Sequence, residues 1–193
     1  MMKRRDLLRL GAKKAVHTAS RLAQSKTGQR AEGWLRPPYA VEEMPFLLGC
    51  TRCGKCIEAC PHDVLFGLPA RLGQQVADTP VMGLLDRGCR MCQDWPCVTA
   101  CEPQVLKLPD RDAETPPAPA KLARAQINIE ICLPYSGPEC GACAHACPVP
   151  GALEWEGGIR PVINQEYCTG CAMCREACIT EPKAVDIVAI LGQ

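Results

Sequence analysis

Polar and apolar positions alternate through Gln126-Ile127-Asn128-Ile129-Glu130-Ile131, the period-two signature of a strand with one face buried. Short apolar runs recur at Gly151-Ala152-Leu153-Glu154-Trp155, Arg160-Pro161-Val162-Ile163 and Ala184-Val185-Asp186-Ile187-Val188. The first half carries looser versions, Asp63-Val64-Leu65-Phe66 and Gln104-Val105-Leu106-Lys107-Leu108. These runs predict short strands flanking cysteine-bearing loops, each loop leading into a short helix that ends at its last cysteine. Near the start, Leu8, Ala12, Ala15, Val16, Ala19 and Leu22 form a weak apolar stripe at helical spacing. At 112–120 the pattern stops in Asp-Ala-Glu-Thr-Pro-Pro-Ala-Pro-Ala, a stretch unable to pair in a sheet or continue a helix, which reads as a linker.

Composition says what must hold such short elements together. Hydrophobic residues make up 47% of the 193, but 16 of them are cysteines and aromatics contribute only 4%, so the core is thin. Thin cores are reinforced by disulfides, metals or association. Eighteen prolines and 16 glycines argue against long helices, and no apolar run reaches the ~18–20 residues of a membrane span.

The cysteines fall into four sets of four with none left over: Cys50, Cys53, Cys56, Cys60; Cys89, Cys92, Cys97, Cys101; Cys132, Cys140, Cys143, Cys147; and Cys168, Cys171, Cys174, Cys178. The first and last read C-x2-C-x2-C-x3-C, the run found in bacterial ferredoxins. The second is stretched by Gln93-Asp94-Trp95-Pro96 and the third by Leu133 through Glu139, while both keep the closing C-x3-C. Three closely spaced thiolates wrap three corners of an iron–sulfur cube, and the fourth comes from the last cysteine of another motif. Pro61 and Pro148 follow the last cysteine directly, Pro103 follows one residue late, and Cys178 precedes Ile179 instead. One tetrahedral zinc ion has no place for the third thiolate of such a run, and densely packed C-x2-C-x2-C triples suit disulfides poorly. All sixteen cysteines are therefore expected to bind iron in four [4Fe-4S] clusters. His17, His62 and His145 show no ligand spacing and are read as surface or packing residues.

The expected fold is α+β and loop-rich. A basic segment (1–36) precedes a first two-cluster ferredoxin-like unit (37–111), a linker (112–124) and a second such unit (125–193). The linker favours sequential pairing, with ligand sets Cys50/Cys53/Cys56/Cys101, Cys89/Cys92/Cys97/Cys60, Cys132/Cys140/Cys143/Cys178 and Cys168/Cys171/Cys174/Cys147. A nested pairing of first with fourth and second with third motif is the rival. Trp95, Pro96 and Tyr135 sit in the stretched loops, where they pack the loop or shield a cluster from water.

Charge is divided sharply. Residues 1–36 hold ten Lys/Arg against Asp6 and Glu32, whereas the remainder carries a net −7, which four clusters with their thiolates would deepen to about −15. Such a body suits docking on the basic face of a redox partner protein. The basic segment suits a partner or an anionic membrane surface. Nothing resembles a nucleic-acid-binding fold with interleaved aromatics. Nor is there a nucleotide fingerprint or a nucleophile–base pair, so catalysis is assigned to a partner. Lys3-Arg4-Arg5-Asp6-Leu7-Leu8-Arg9 looks like a twin-arginine export motif. Lys13, Lys14, His17 and Arg21 interrupt the apolar stretch that a signal needs, so the expected location is cytoplasmic, with twin-arginine export to the periplasm as the alternative.

Several stretches resemble the ferredoxin-type accessory proteins of the periplasmic nitrate reductase system. Leu35-Arg36-Pro37-Pro38, Phe46-Leu47, Cys50-Thr51-Arg52-Cys53, Cys132-Leu133-Pro134-Tyr135, Glu139-Cys140 and the Gly158–Cys168 stretch with Pro161 and Asn164 resemble the NapF type. Cys89-Arg90-Met91-Cys92-Gln93-Asp94-Trp95-Pro96-Cys97 is closer to the NapG type, with the methylamine-utilisation MauM type a relative, and to four-cluster subunits of molybdenum oxidoreductases. The resemblance implies cubane clusters and a molybdenum-containing reductase, or its precursor, as partner. For the NapF type it implies a cytoplasmic part in reductase maturation, and for the NapG type quinol-linked electron transfer on the outer side of the membrane. The expectation is the NapF-like reading, with the NapG/MauM-like one as its alternative.

Overall fold

The computed structural model describes residues 34–109 and 119–190, so the basic segment up to residue 33, His17 and most of the Pro/Ala stretch lie outside it. Within these residues the chain forms a small α+β structure of short helices and two-stranded antiparallel sheets.

The first half opens with helix α1 (Glu43–Gly49), which buries Phe46 and Leu47. Arg36 anchors it from outside: its guanidinium forks onto both carboxylate oxygens of Glu43 (2.8 and 2.6 Å), reaches Thr79 Oγ1 and the Pro80 carbonyl, and lies over the Phe46 ring. Helix α2 (Lys55–Glu58) follows, then strand β1 (Leu65–Gly67), a 3-10 turn at Ala70–Leu72, strand β2 (Pro80–Met82) and helix α3 (Pro96–Thr99). Strands β1 and β2 pair antiparallel, Leu65 opposite Met82. The run at 104–108 forms a single bridge, Ala40 to Leu106, flanked by Val41 N–H to Val105 O and Lys107 N–H to Tyr39 O.

The second half holds β3 (Arg124–Ile127), α4 (Leu133–Ser136), β4 (Leu153–Glu156), β5 (Arg160–Ile163), α5 (Met173–Ala177) and β6 (Val185–Val188). Strand β3 pairs with β6, and β4 with β5 across a turn in which Gly157 and Gly158 both take positive φ. Both halves thus pair the segment before their first cysteine motif with the one after their second, and the two inner segments with each other.

The expected strand at 126–131 ends early. The side chain of Asn128 accepts the Glu130 N–H and its carbonyl accepts those of Ile131 and Cys132, a local turn that displaces the ladder. The C-terminal end of the expected linker is packed rather than free: Ala120, Leu122 and Ala123 are buried, and Leu122 N–H bonds to Thr169 O. Those residues join Phe46, Leu68, Leu84, Val98, Val105 and Ala172 in one buried cluster spanning both halves.

Candidate iron–sulfur centres

Three of the four cysteine loops share one backbone shape. The residue before the second cysteine and the residue two before the third are left-handed: Arg52 and Gly54, Met91 and Trp95, Gly170 and Ala172. Alternating hand along a loop turns successive N–H groups to one side, forming a concavity suited to an anionic group. The third cysteine then falls in a short helix, Cys56 in α2, Cys97 in α3 and Cys174 in α5. In the remaining loop, the insertion between Cys132 and Cys140 folds into α4, closed by Gly137 at φ +120°.

Distant motifs converge on each other. Burial pushes the Cys56 thiol up to about 11, and the charges of Cys101, Cys50 and Cys53 add to it. Cys97 is pushed up to about 12, by burial first and then by Cys89, Cys60, Cys56 and Cys92. Cys143 reaches about 11 through burial and the charges of Cys132, Cys178 and Cys140. Cys174 reaches about 12 through burial, Cys171, Cys168, Cys143 and Cys147. The neighbourhoods are those of sequential pairing, each closed by a cysteine from the companion motif. Two thiols are made more acidic: Cys53 by the Lys55 N–H and the Thr51 hydroxyl, and Cys178, against its burial, by Thr180, Ala184 N–H and Lys183.

Cys50, Cys53, Cys56 and Cys101 line one space, together with Arg52, Pro103 and Val105. Cys147, Cys168, Cys171 and Cys174 line another. Among the described residues no group of three or more His, Cys, Asp or Glu is placed to hold a single metal ion. Four cysteine thiols lining one space are the donor set of a polynuclear iron–sulfur group, whose ligands are cysteine thiolates. Thr169 agrees: its buried hydroxyl lines the second space, has no oxygen or nitrogen partner among the described residues, and lies beside the Cys171 thiol, whose ionised form it favours. An inorganic sulfide or ligating sulfur there would accept its proton.

Other loop residues have structural tasks. Arg52, quoted above only as part of the first motif, hydrogen-bonds the carbonyls of Ala77, Gln75 and Cys50 and so pins the first loop to the 75–77 turn. Trp95 is buried edge-on to Tyr39, with ring centroids 5.0 Å apart, and Pro96 takes the first helical position of α3. The Tyr135 hydroxyl donates to the Pro161 carbonyl while Arg160 covers its ring, tying the stretched third loop to β5. His62 is half-buried and His145 exposed.

The family model of a 4Fe-4S binding domain matches residues 49–66. The ferredoxin-type protein NapG of Escherichia coli K12 is 32% identical over 96% of this chain and 84% of its own length. The methylamine utilization ferredoxin-type protein MauM of Methylobacillus flagellatus is 33% identical, covering 80% and 68%. NapF of Escherichia coli K12 matches more weakly, 27% identical over 78% of this chain, so the likeness lies nearer NapG and MauM than the NapF-like expectation had it. No solved structure matches the chain. Among the described residues no helix is long and apolar enough to cross a membrane. With thiol-lined spaces shaped for iron–sulfur groups and relatives of this kind, the chain belongs to the NapG/MauM family of ferredoxin-type proteins, iron–sulfur proteins that transfer electrons and are not enzymes.

Proposed function

We propose that the sixteen cysteines hold four [4Fe-4S] clusters in two tandem ferredoxin-like units, residues 37–111 and 125–193 joined through 112–124. The protein then carries electrons between a donor and a redox partner, a molybdenum-containing reductase. The observation that carries this reading is the convergence of companion motifs: Cys101 lines one space with Cys50, Cys53 and Cys56, and Cys147 lines another with Cys168, Cys171 and Cys174. When bound, the clusters supply reversible one-electron storage at potentials set by their surroundings. The chain supplies the rest. Its thiolates bind iron after giving up their protons, and left-handed loop residues aim N–H groups inward. Val105, Leu106, Leu153 and Ile163 keep water from the two spaces described above. The acidic body steers docking on a basic partner face, an attraction that fades with salt.

Iron and acid-labile sulfide analysis of anaerobically purified protein tests the reading. About sixteen of each per chain are expected, four per cubane. Eight or fewer, with all cysteines reduced, would sink it.

A cytoplasmic location is proposed from the charges at Lys13, Lys14, His17 and Arg21. The stronger likeness to NapG and MauM favours the second reading, an exported, quinol-linked carrier using Arg4-Arg5. Protease added to intact spheroplasts, with the intact mass of the chain, separates them. Protection with an unprocessed N-terminus supports the first, and digestion or a trimmed chain the second.

A further inference from the structure

Within each half, two ligand sets share helices. Cys56 of the first set lies in α2 and Cys60 of the second follows it, while Cys97 of the second set lies in α3 and Cys101 of the first follows that. Four residues of helix rise only about 6 Å, so the two sets are one short step apart. In the second half, Cys174 of the fourth set lies in α5 and Cys178 of the third set caps it.

Between the halves the junction falls elsewhere than chain order suggests. The Cys89 N–H donates to the Cys171 carbonyl at 2.7 Å, joining the second set to the fourth. On either side the contact is tied. Gly88 N–H donates to one carboxylate oxygen of Glu176 (2.9 Å), Arg90 pairs with the other (3.0 Å), and Arg175 Nε donates to the Leu85 carbonyl (2.9 Å). Gly88 has no room for a side chain, since a Cβ there would lie 2.7 Å from Met173 Cα and 2.8 Å from its nitrogen. Backbone meets backbone where the two loops cross.

We infer that the four ligand sets form one continuous relay in the spatial order first, second, fourth, third, with the crossing between halves at the Gly88-Cys89 and Cys171-Met173 contact. This rests on the four-cluster reading above. The relay order departs from the sequence order, so the terminal positions are the set completed by Cys101 and the set completed by Cys178. Both ends are open to a partner: Cys53 is exposed, and Cys140 lines a surface groove with Glu139, Trp155 and Ile159. One partner docks at each end, and the second and fourth sets are interior.

Paramagnetic resonance of the fully reduced, iron-loaded chain tests the order, because spin coupling between centres falls with the cube of their separation. A Cys53→Ala/Cys140→Ala variant retains the second and fourth sets. About eight iron per chain and a split or broadened, fast-relaxing signal are expected. A Cys92→Ala/Cys168→Ala variant retains the first and third sets and is expected to give two independent signals. Independent signals in the former, or coupling in the latter, would overturn the order. Gly88→Val keeps every ligand and wedges the crossing. It is expected to keep about sixteen iron while losing the coupling between halves, and unchanged coupling would count against the proposal even where the double variants do not fold. A short iron count in the unaltered chain is a separate failure, that of the four-cluster reading.

Discussion

A cysteine thiol ordinarily ionises near 9.0, and burial foremost has moved Cys56, Cys89 and Cys143 to about 11 and Cys97 and Cys174 to about 12. Between those values the unfolded chain has released protons that the folded chain still holds, so the stability of the iron-free protein falls as pH rises through that window. The lowered Cys53 and Cys178 act in the opposite sense below 9. The urea midpoint of the reduced, iron-free chain is therefore expected to be lower at pH 10.5 than at pH 8, and an equal or higher midpoint would refute this assignment. At Thr169 the buried hydroxyl beside Cys171 makes a different claim. A donor to cluster sulfur stabilises the more negative, reduced state, so Thr169→Val is expected to lower the potential of the centre held by Cys168, Cys171, Cys174 and Cys147, read by a redox titration. An unchanged potential would mean that the hydroxyl makes no such bond.

Elements as short as these cannot stabilise themselves; each is held by a specific tie to a distant segment. Helix α1 depends on Arg36, whose side chain is 9% exposed and serves Glu43, Thr79 and Pro80 together. Arg36→Ala strands a half-buried carboxylate and frees β2 from α1, a loss of about 2–4 kcal/mol measurable by urea unfolding. Gly170 is a tighter constraint: it sits at φ +69°, and a Cβ would lie 2.0 Å from the Ala123 carbonyl oxygen. Gly170→Ala is expected to cost at least about 2 kcal/mol and to release residues 120–123 from the fourth cysteine loop, seen as faster amide exchange at Leu122. Wild-type protection there would contradict the packing.

At the scale of the molecule, cross-completion of the ligand sets makes each half cooperative, because removing one cysteine is felt across about forty residues of chain. Cys101→Ser is expected to expose Cys50, Cys53 and Cys56 to alkylation while Cys60, Cys89, Cys92 and Cys97 stay protected, as mass mapping of labelled peptides would read. Labelling of Cys132, Cys140 and Cys143 instead would restore the nested alternative. Iron loading and folding are linked in the same way. Strands of three or four residues leave most long-range order to the thiol groups, so chelation of iron is expected to lower the melting temperature.

Much of the chemistry was legible because it is written in local spacing. Cysteines two or three residues apart must share a loop whatever the rest of the chain does, and the short apolar runs at 160–163 and 184–188 become the short strands β5 and β6. Other features depend on groups far away in the chain. Strand β2 forms because Arg36 and β1 receive it, and Ala120 to Ala123 leave the linker because Thr169 and Gly170 accept them. Left-handed Arg52, Met91, Trp95 and Ala172 carry no sequence mark, since non-glycine residues adopt that conformation only where surrounding contacts outweigh its cost. The crossing at Gly88 and Met173 is of this second kind. Spacing alone determined which thiols act together in a loop; packing between the halves decided which loops meet, because a contact between residues some eighty positions apart is set by the surfaces each half presents and not by local propensity.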